Sequence, residues 1–295
     1  MKRCLVTGLT GLIGSALLLA LRPGWDVTGI ARARSRQGSQ PDRPFDLTVD
    51  LSQEWATGLF PRQVDAVIHL AQSEHFRDFP ERALDIFQVN TMSTIRLLDY
   101  ARQAGAKTFI LASSGGIYGP RDRELTEDME IFAQGNLGFY LGTKLCSEVM
   151  AENYAAYLNV IVLRFFFVYG PGQRKSMLIP RLVQSVAEGR AITLQGQNGI
   201  RMNPTYVSDA VAAICRSLDL QGNHKINVGG PEVLSLREIG EIIGRLVGIK
   251  PAFECQAGPE PRNLIGDISK MTEMLGPPAV RFEEGMKAFL EGTKR

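Results

Sequence analysis

Short apolar runs alternate with longer helical repeats through the first two-thirds of the chain. Cys4-Leu5-Val6 reads as a strand. A leucine-rich helical run, Leu12 to Leu21, follows and stops at Arg22-Pro23-Gly24, since proline has no N–H for a further helical turn. Val27-Thr28-Gly29-Ile30 predicts a second strand, and residues 31–44, polar and without helical period, predict a loop. Asp65-Ala66-Val67-Ile68-His69-Leu70 predicts a buried strand. Residues 81–103 predict a helix from the spacing of Leu84, Phe87, Ile95 and Leu98. Thr108 to Ala112 predicts a strand, residues 140–158 a helix, and Val160 to Phe165 a further apolar strand. Such alternation argues for an α/β fold, a doubly wound parallel sheet with right-handed crossovers. Past residue 170 the pattern breaks into short pieces rich in Gly and Pro. The expected organisation is therefore residues 1–170 as the sheet domain, and residues 171–295 as a smaller C-terminal lobe partly interleaved with the sheet.

Composition narrows the partners. A net charge of +2 on 295 residues, with the basic residues dispersed, gives no footprint for nucleic acid or an anionic membrane. The four cysteines form no CxxC and the three histidines do not cluster, so no metal site is expected and the thiols read as reduced, in a cytoplasmic setting. No apolar run reaches the roughly 18 residues of a membrane span.

The stretch Val6-Thr7-Gly8-Leu9-Thr10-Gly11-Leu12-Ile13-Gly14-Ser15 runs from the first strand into the first helix. A glycine there permits a tight turn and lets an anion approach the backbone, and the new helix faces that anion with open N–H groups. On its own the pattern also suits a plain strand-to-helix turn; a preceding strand and a following helix make it a dinucleotide cradle of Rossmann type.

The chain resembles the extended short-chain dehydrogenase/reductase superfamily, and within it the NAD(P)-dependent sugar nucleotide epimerase/dehydratase group. The resemblance rests on Thr7-Gly8-x-x-Gly11-x-x-Gly14, His69-Leu70-Ala71, Asn90, Ser113-Ser114-Gly115-Gly116-Ile117-Tyr118-Gly119 and Tyr140-x-x-x-Lys144. Arg164 to Pro171, Tyr206-Val207-Ser208-Asp209 and Asp267-Ile268-Ser269-Lys270 extend it over nearly the whole chain. It implies a cofactor-binding set of Gly8, Thr10, Gly11, Leu12, Ile13, Gly14, Arg32, Asp50, Leu51, Leu70, Ala71, Asn90, Tyr140 and Lys144. It also implies a homodimer through a four-helix bundle, for which Phe87, Met92, Met150 and Tyr157 are outward candidates.

Tyr140 and Lys144 are four apart, so on a helix they share a face with about 6 Å between Cβ atoms. An ammonium beside a phenol favours phenolate, which makes the pair a general base with its tuning charge. The resemblance assigns catalysis to Ser114, Tyr140 and Lys144, with Ser114 holding the substrate oxygen. Gly115 and Gly116 stand where dehydratases of the group carry Asp-Glu, and glycine transfers no proton, so water elimination is not expected.

The substrate side departs from the pattern. Phe167 replaces the group's diphosphate-binding Asn, and Met202 replaces an arginine. Arg201 and Arg262 are the nearest substitutes, which leaves Ser114, Phe167, Arg201, Asn203 and Arg262 as the substrate-binding candidates. The expected activity is epimerisation of a nucleotide-activated sugar by transient oxidation of a secondary hydroxyl to a keto intermediate. The alternatives are an NAD(P)H-dependent reductase of a keto sugar or related carbonyl, and a cofactor-binding scaffold. For the cofactor, Ala31 stands where NAD-specific relatives place a carboxylate, and Arg32, Arg34 and Arg36 follow. That balance ranks NADP slightly above NAD.

Overall fold

The computed structural model describes residues 1–32, 46–131, 137–258 and 261–293. The strands are β1 (Lys2–Thr7), β2 (Trp25–Ala31), β3 (Leu47–Thr48), β4 (Ala66–His69), β5 (Thr108–Ser114), β6 (Asn159–Phe165), β7 (Ile192–Gln195), β8 (Arg201–Met202), β9 (His224–Val228), β10 (Leu234–Ser235) and β11 (Phe253–Gln256). The helices are α1 (Leu12–Leu21), α2 (Ala83–Phe87), α3 (Ser93–Gln103), α4 (Phe139–Glu152), α5 (Leu178–Ala187), α6 (Val207–Ser217), α7 (Leu236–Val247), α8 (Ser269–Leu275) and α9 (Phe282–Thr293).

A seven-stranded sheet runs β3-β2-β1-β4-β5-β6-β9, the doubly wound Rossmann order the alternation predicts. The pairs β3–β2, β2–β1, β1–β4 and β4–β5 are all parallel. The register places Ile30, Thr7 and His69 in one row across β2, β1 and β4. Three chain segments thus leave the same edge together: Ala31-Arg32, Gly8, and Leu70-Ala71.

The chain divides into two compact units, one of residues Met1–Ile117, Ala133–Arg164 and Val211–Ile226, the other of Tyr118–Phe132, Phe165–Ala210 and Asn227–Arg295. In the first, Leu5, Val67, Phe109, Leu111, Val160 and Val162 of the sheet pack on Leu97, Leu98 and Ala101 of α3. On α1, Leu17 and Leu21 are buried, each contributing about 2 kcal/mol. The second unit has its own core, in which Ile179, Leu182 and Val186 of α5 meet Ile239 and Ile243 of α7. The start of α7 is fixed by a capping box in which Ser235 accepts from the Glu238 N–H and Glu238 reaches back to Ser235.

Two helix expectations change. Residues 81–103 form α2, a π-turn over Gln88–Met92, and α3. Ser93 Oγ and Thr94 Oγ1 donate to the carbonyls of Val89 and Asn90, at 2.5 and 2.6 Å, and this competition with the backbone ladder loosens the turn. The helix expected over 140–158 ends at Glu152, where Asn153 Nδ2 donates to the Val149 carbonyl and closes the last turn. At the second strand, Ala31 belongs to β2 rather than to the expected loop, and residues 33–44 of that loop, with Arg34 and Arg36, lie outside the described residues.

Candidate active site

The glycine turn is tight by necessity. A Cβ at Gly8, whose φ is +77°, would sit 2.7 Å from the Ala71 nitrogen, and one at Gly14 would sit 2.2 Å from the Gly8 carbonyl oxygen. Gly11 is the N-cap of α1 with no side-chain cap bond. Its own N–H goes to the Gly8 carbonyl at 3.0 Å, so the N–H groups of Leu12, Ile13 and Gly14 are the helix's open donors. Donors and dipole at a turn that Gly8, Gly11 and Gly14 keep open suit a dinucleotide diphosphate, and the residues present fit that group.

Behind the turn, His69 is buried and bonded at both ring nitrogens, to Thr7 Oγ1 at 2.7 Å and Ser93 Oγ at 3.1 Å. Ser93 gives its hydrogen to the Val89 carbonyl, so it accepts from His69 Nε2–H. Nδ1 is then the acceptor for the Thr7 hydroxyl, and Thr7 Oγ1 accepts the Ala71 N–H at 3.2 Å. Every hydrogen is used with the imidazole neutral. Burial, with the Lys144 charge added, pulls its pKa down to about 3. This chain ties the first residues of the glycine turn to Leu70-Ala71.

At the end of β2, Arg32 Nη1 pairs with Glu74 Oε1 at 2.7 Å. Asp50 is exposed and accepts from Ser52 N–H and Oγ–H, at 3.0 and 2.8 Å, while Leu51 is buried in the core of the first unit. Thr10 lies exposed on the turn.

Asn90 sits in the π-turn and joins three elements. Its Oδ1 accepts the Ser73 N–H at 2.9 Å, its Nδ2 donates to Thr143 Oγ1 at 2.9 Å, and its carbonyl accepts from Ser147 Oγ. It therefore fixes α4 against the segment after β4. On α4, Lys144 is buried and donates from Nζ to the Ala112 carbonyl at 2.9 Å, at the end of β5. Burial lowers its pKa to about 8, against the opposing pull of Glu148. Glu148, one turn further on, forms a fully buried ion pair with Arg164 of β6 and accepts from Ser113 Oγ. Ser114 closes β5, and its Oγ accepts the Gly116 N–H at 3.1 Å, which uses a lone pair and not the hydroxyl hydrogen.

Tyr140 donates its hydroxyl to Gln72 Oε1 at 3.0 Å, with the Phe76 ring 5.2 Å away. Burial pushes its pKa up, and this corrects the expected lowering by Lys144. The physical reason is burial of the phenol itself, while the Lys144 ammonium is aimed at the Ala112 carbonyl. Gln72, Glu74 and the Glu148–Arg164 pair were not anticipated. Only Glu148 left a signal, since it repeats the four-residue step from Tyr140 through Lys144; Gln72 and Glu74 look like any polar loop residues.

The remaining candidates lie in the second unit. Phe167 has φ +44°, a left-handed backbone that a non-glycine residue adopts at a cost of about 1 kcal/mol, and it packs on that unit's core. Arg201 and Arg262 are exposed, Arg262 standing 3.8 Å from Asp122. Asn203 is buried and uses both ends of its amide on the Gly266 backbone, at 2.9 and 3.0 Å, so its side chain braces the fold. Met202 is fully buried in the core.

Residues 4–229 match the family model described as the NAD dependent epimerase/dehydratase family. Among curated proteins, a UDP-glucuronate 4-epimerase of Thermodesulfobacterium geofontis is 28% identical, over 98% of this chain and 95% of its own length. Among solved structures, the UDP-glucuronic acid 4-epimerase of Bacillus cereus, in complex with UDP-glucuronic acid and NAD, superposes with a TM-score of 0.85 at 26% identity and covers 99% of both chains. MoeE5, in complex with UDP-glucose and NAD, gives a TM-score of 0.82 at 28% identity over 100% of this chain and 99% of its own. The chain belongs to the NAD dependent epimerase/dehydratase family.

Proposed function

We propose that the protein is an NAD-dependent epimerase of a UDP-sugar, inverting a secondary hydroxyl carbon, the sugar C4, through a keto intermediate. The observation that carries the reading is the glycine cradle together with Ser114 at the end of β5 and Tyr140 and Lys144 in the first two turns of α4, in the same unit. The names of the similar proteins support the substrate class and the cofactor, and they favour NAD over the NADP preference expected from the arginines after β2.

Bound at the cradle, NAD would supply reversible hydride transfer. The chain's residues do the rest. Gly8 to Gly14 hold the diphosphate, and Leu70, Ala71 and Asn90 fix the walls beside it. Ser114 donates a hydrogen bond to the reacting oxygen. Tyr140 takes the hydroxyl proton in the oxidation and gives it back in the reduction, so no proton is consumed overall; because burial raises its pKa, it must first release its own proton to act as the base. Lys144 holds the nicotinamide ribose. Arg201 and Arg262 attract the substrate diphosphate, with Phe167 as an apolar wall and Asn203 bracing the segment that follows Arg201. Residues 1–170 thus hold the cofactor, with Ser114, Tyr140 and Phe167 among them turned to the substrate, and residues 171–295 serve the substrate. Gly115 and Gly116 offer no acid for dehydration. A net reductase is not favoured, because two of the similar proteins are named as 4-epimerases.

The protein is further proposed to be a cytoplasmic homodimer. Four free cysteines fit the first statement, and no helix among the described residues is long and apolar enough to cross a membrane. Leu84, Phe87, Val149, Met150 and Tyr157, all exposed on or just after α2 and α4, support the second. A panel of UDP-sugars followed by NMR, with no cofactor added, tests the activity. Formation of one epimer is the expected result, and inertness towards the whole panel overturns it.

A further inference from the structure

The end of β2 carries no carboxylate: the strand closes on Ala31 and the next residue is Arg32. In dinucleotide folds this place meets the adenine ribose. A carboxylate there hydrogen-bonds the ribose hydroxyls and repels a 2′-phosphate, whereas an arginine accommodates that phosphate. Taken alone, Arg32 favours NADP.

Arg32 is not alone. Strand order puts β1 between β2 and β4, with Ile30, Thr7 and His69 level with one another. Glu74, five residues beyond His69, meets Arg32 at 2.7 Å, so the ion pair spans the end of β1, where the glycine turn begins. The segment that carries Glu74 is anchored on both sides. Ser73 N–H donates to Asn90 Oδ1 at 2.9 Å and Ser73 Oγ donates to Asp85. His75 N–H donates to Ser73 Oγ at 3.1 Å, and the His75 ring bonds Asp78 at 2.9 Å.

We infer that Glu74 supplies, from the segment after β4, the carboxylate that β2 lacks, and that the Arg32–Glu74 pair makes the ribose site select NAD against NADP. The inference rests on the reading of the glycine turn as a dinucleotide cradle. A carboxylate accepts at several lone-pair positions, so a ribose hydroxyl can donate to Glu74 while Oε1 stays on Arg32. A 2′-phosphate has only acceptors and close to two negative charges. To reach Arg32 it must displace the carboxylate or lie beside it, and at about 5 Å in water the Glu74 repulsion, roughly tenfold, offsets the attraction Arg32 would offer. Arg32 would then serve as the holder of Glu74 rather than as a phosphate ligand.

The test is competition for binding, not turnover. Purified protein is equilibrated with equal NAD and NADP, separated by ultrafiltration, and the retained nucleotides are quantified by chromatography. Wild type is expected to retain NAD over NADP by at least tenfold. Glu74→Gln removes the charge at an exposed position, and its ratio is expected to fall about tenfold or more through tighter NADP binding that weakens with salt. Adding Arg32→Ala to Glu74→Gln is expected to abolish that gain. A wild-type preference for NADP overturns the inference, as does an unchanged ratio in Glu74→Gln with NAD still held. Retention of neither nucleotide by wild type overturns the dinucleotide reading itself, and the inference with it.

Discussion

Acid should unfasten the glycine turn through one residue, His69. Its imidazole is buried, bonded to Thr7 and Ser93, and neutral, with a pKa near 3. In the unfolded chain the same ring has the ordinary value of about 6.5. A depressed folded pKa means that the folded state resists a proton the unfolded state accepts. The stability His69 contributes is therefore complete above about pH 6.5 and is lost as pH falls towards 3. Between pH 7 and pH 5 the unfolded imidazole becomes almost fully charged while the folded one does not, which removes about 2 kcal/mol. The assay is urea unfolding of wild type and His69→Gln at both pH values. Glutamine keeps a donor for Ser93 and an acceptor for Thr7 but cannot take the charge. Carboxylates titrate alike in the two proteins, so the difference between their losses isolates His69. Wild type should lose about 2 kcal/mol more than the variant. Equal losses would refute the neutral, doubly bonded imidazole.

Tyr140→Phe should lower turnover by roughly 10²–10⁴-fold with cofactor affinity nearly unchanged, as titration and steady-state kinetics can establish. Glu148→Gln leaves Arg164 buried without its counter-ion and should cost about 3–5 kcal/mol in urea unfolding, while Glu148→Leu combined with Arg164→Met should recover most of that loss. Light scattering at micromolar protein should give a dimer mass, and Phe87→Glu together with Met150→Glu should give a monomer at unchanged thermal stability.

Local signals carried the frame of the fold. Leu12 to Leu21 was legible to the residue because a leucine run sits between glycine and proline. The row of strands followed from short apolar runs spaced by helices. The π-turn was not legible, because it arises from hydroxyls of Ser93 and Thr94 choosing backbone carbonyls, and periodicity sees only apolar positions. At the site, Ser114, Tyr140 and Lys144 announced themselves by spacing and by resemblance. Their electrostatics did not: Lys144 points to the Ala112 carbonyl, and burial raises the Tyr140 pKa instead of lowering it. Arg32 shows the same limit. It pairs with Glu74, 42 residues away, and only the strand order brings the two together.

The proposed inversion is redox-neutral: the hydrogen removed from the sugar carbon is the one returned. A UDP-sugar deuterated at C4, incubated with the protein in ordinary water without added cofactor and followed by NMR, tests it most directly. The C4 epimer is expected with its deuterium retained and none exchanged with solvent. Loss of the label to solvent, or product formed only with stoichiometric consumption of added reduced cofactor, would contradict it.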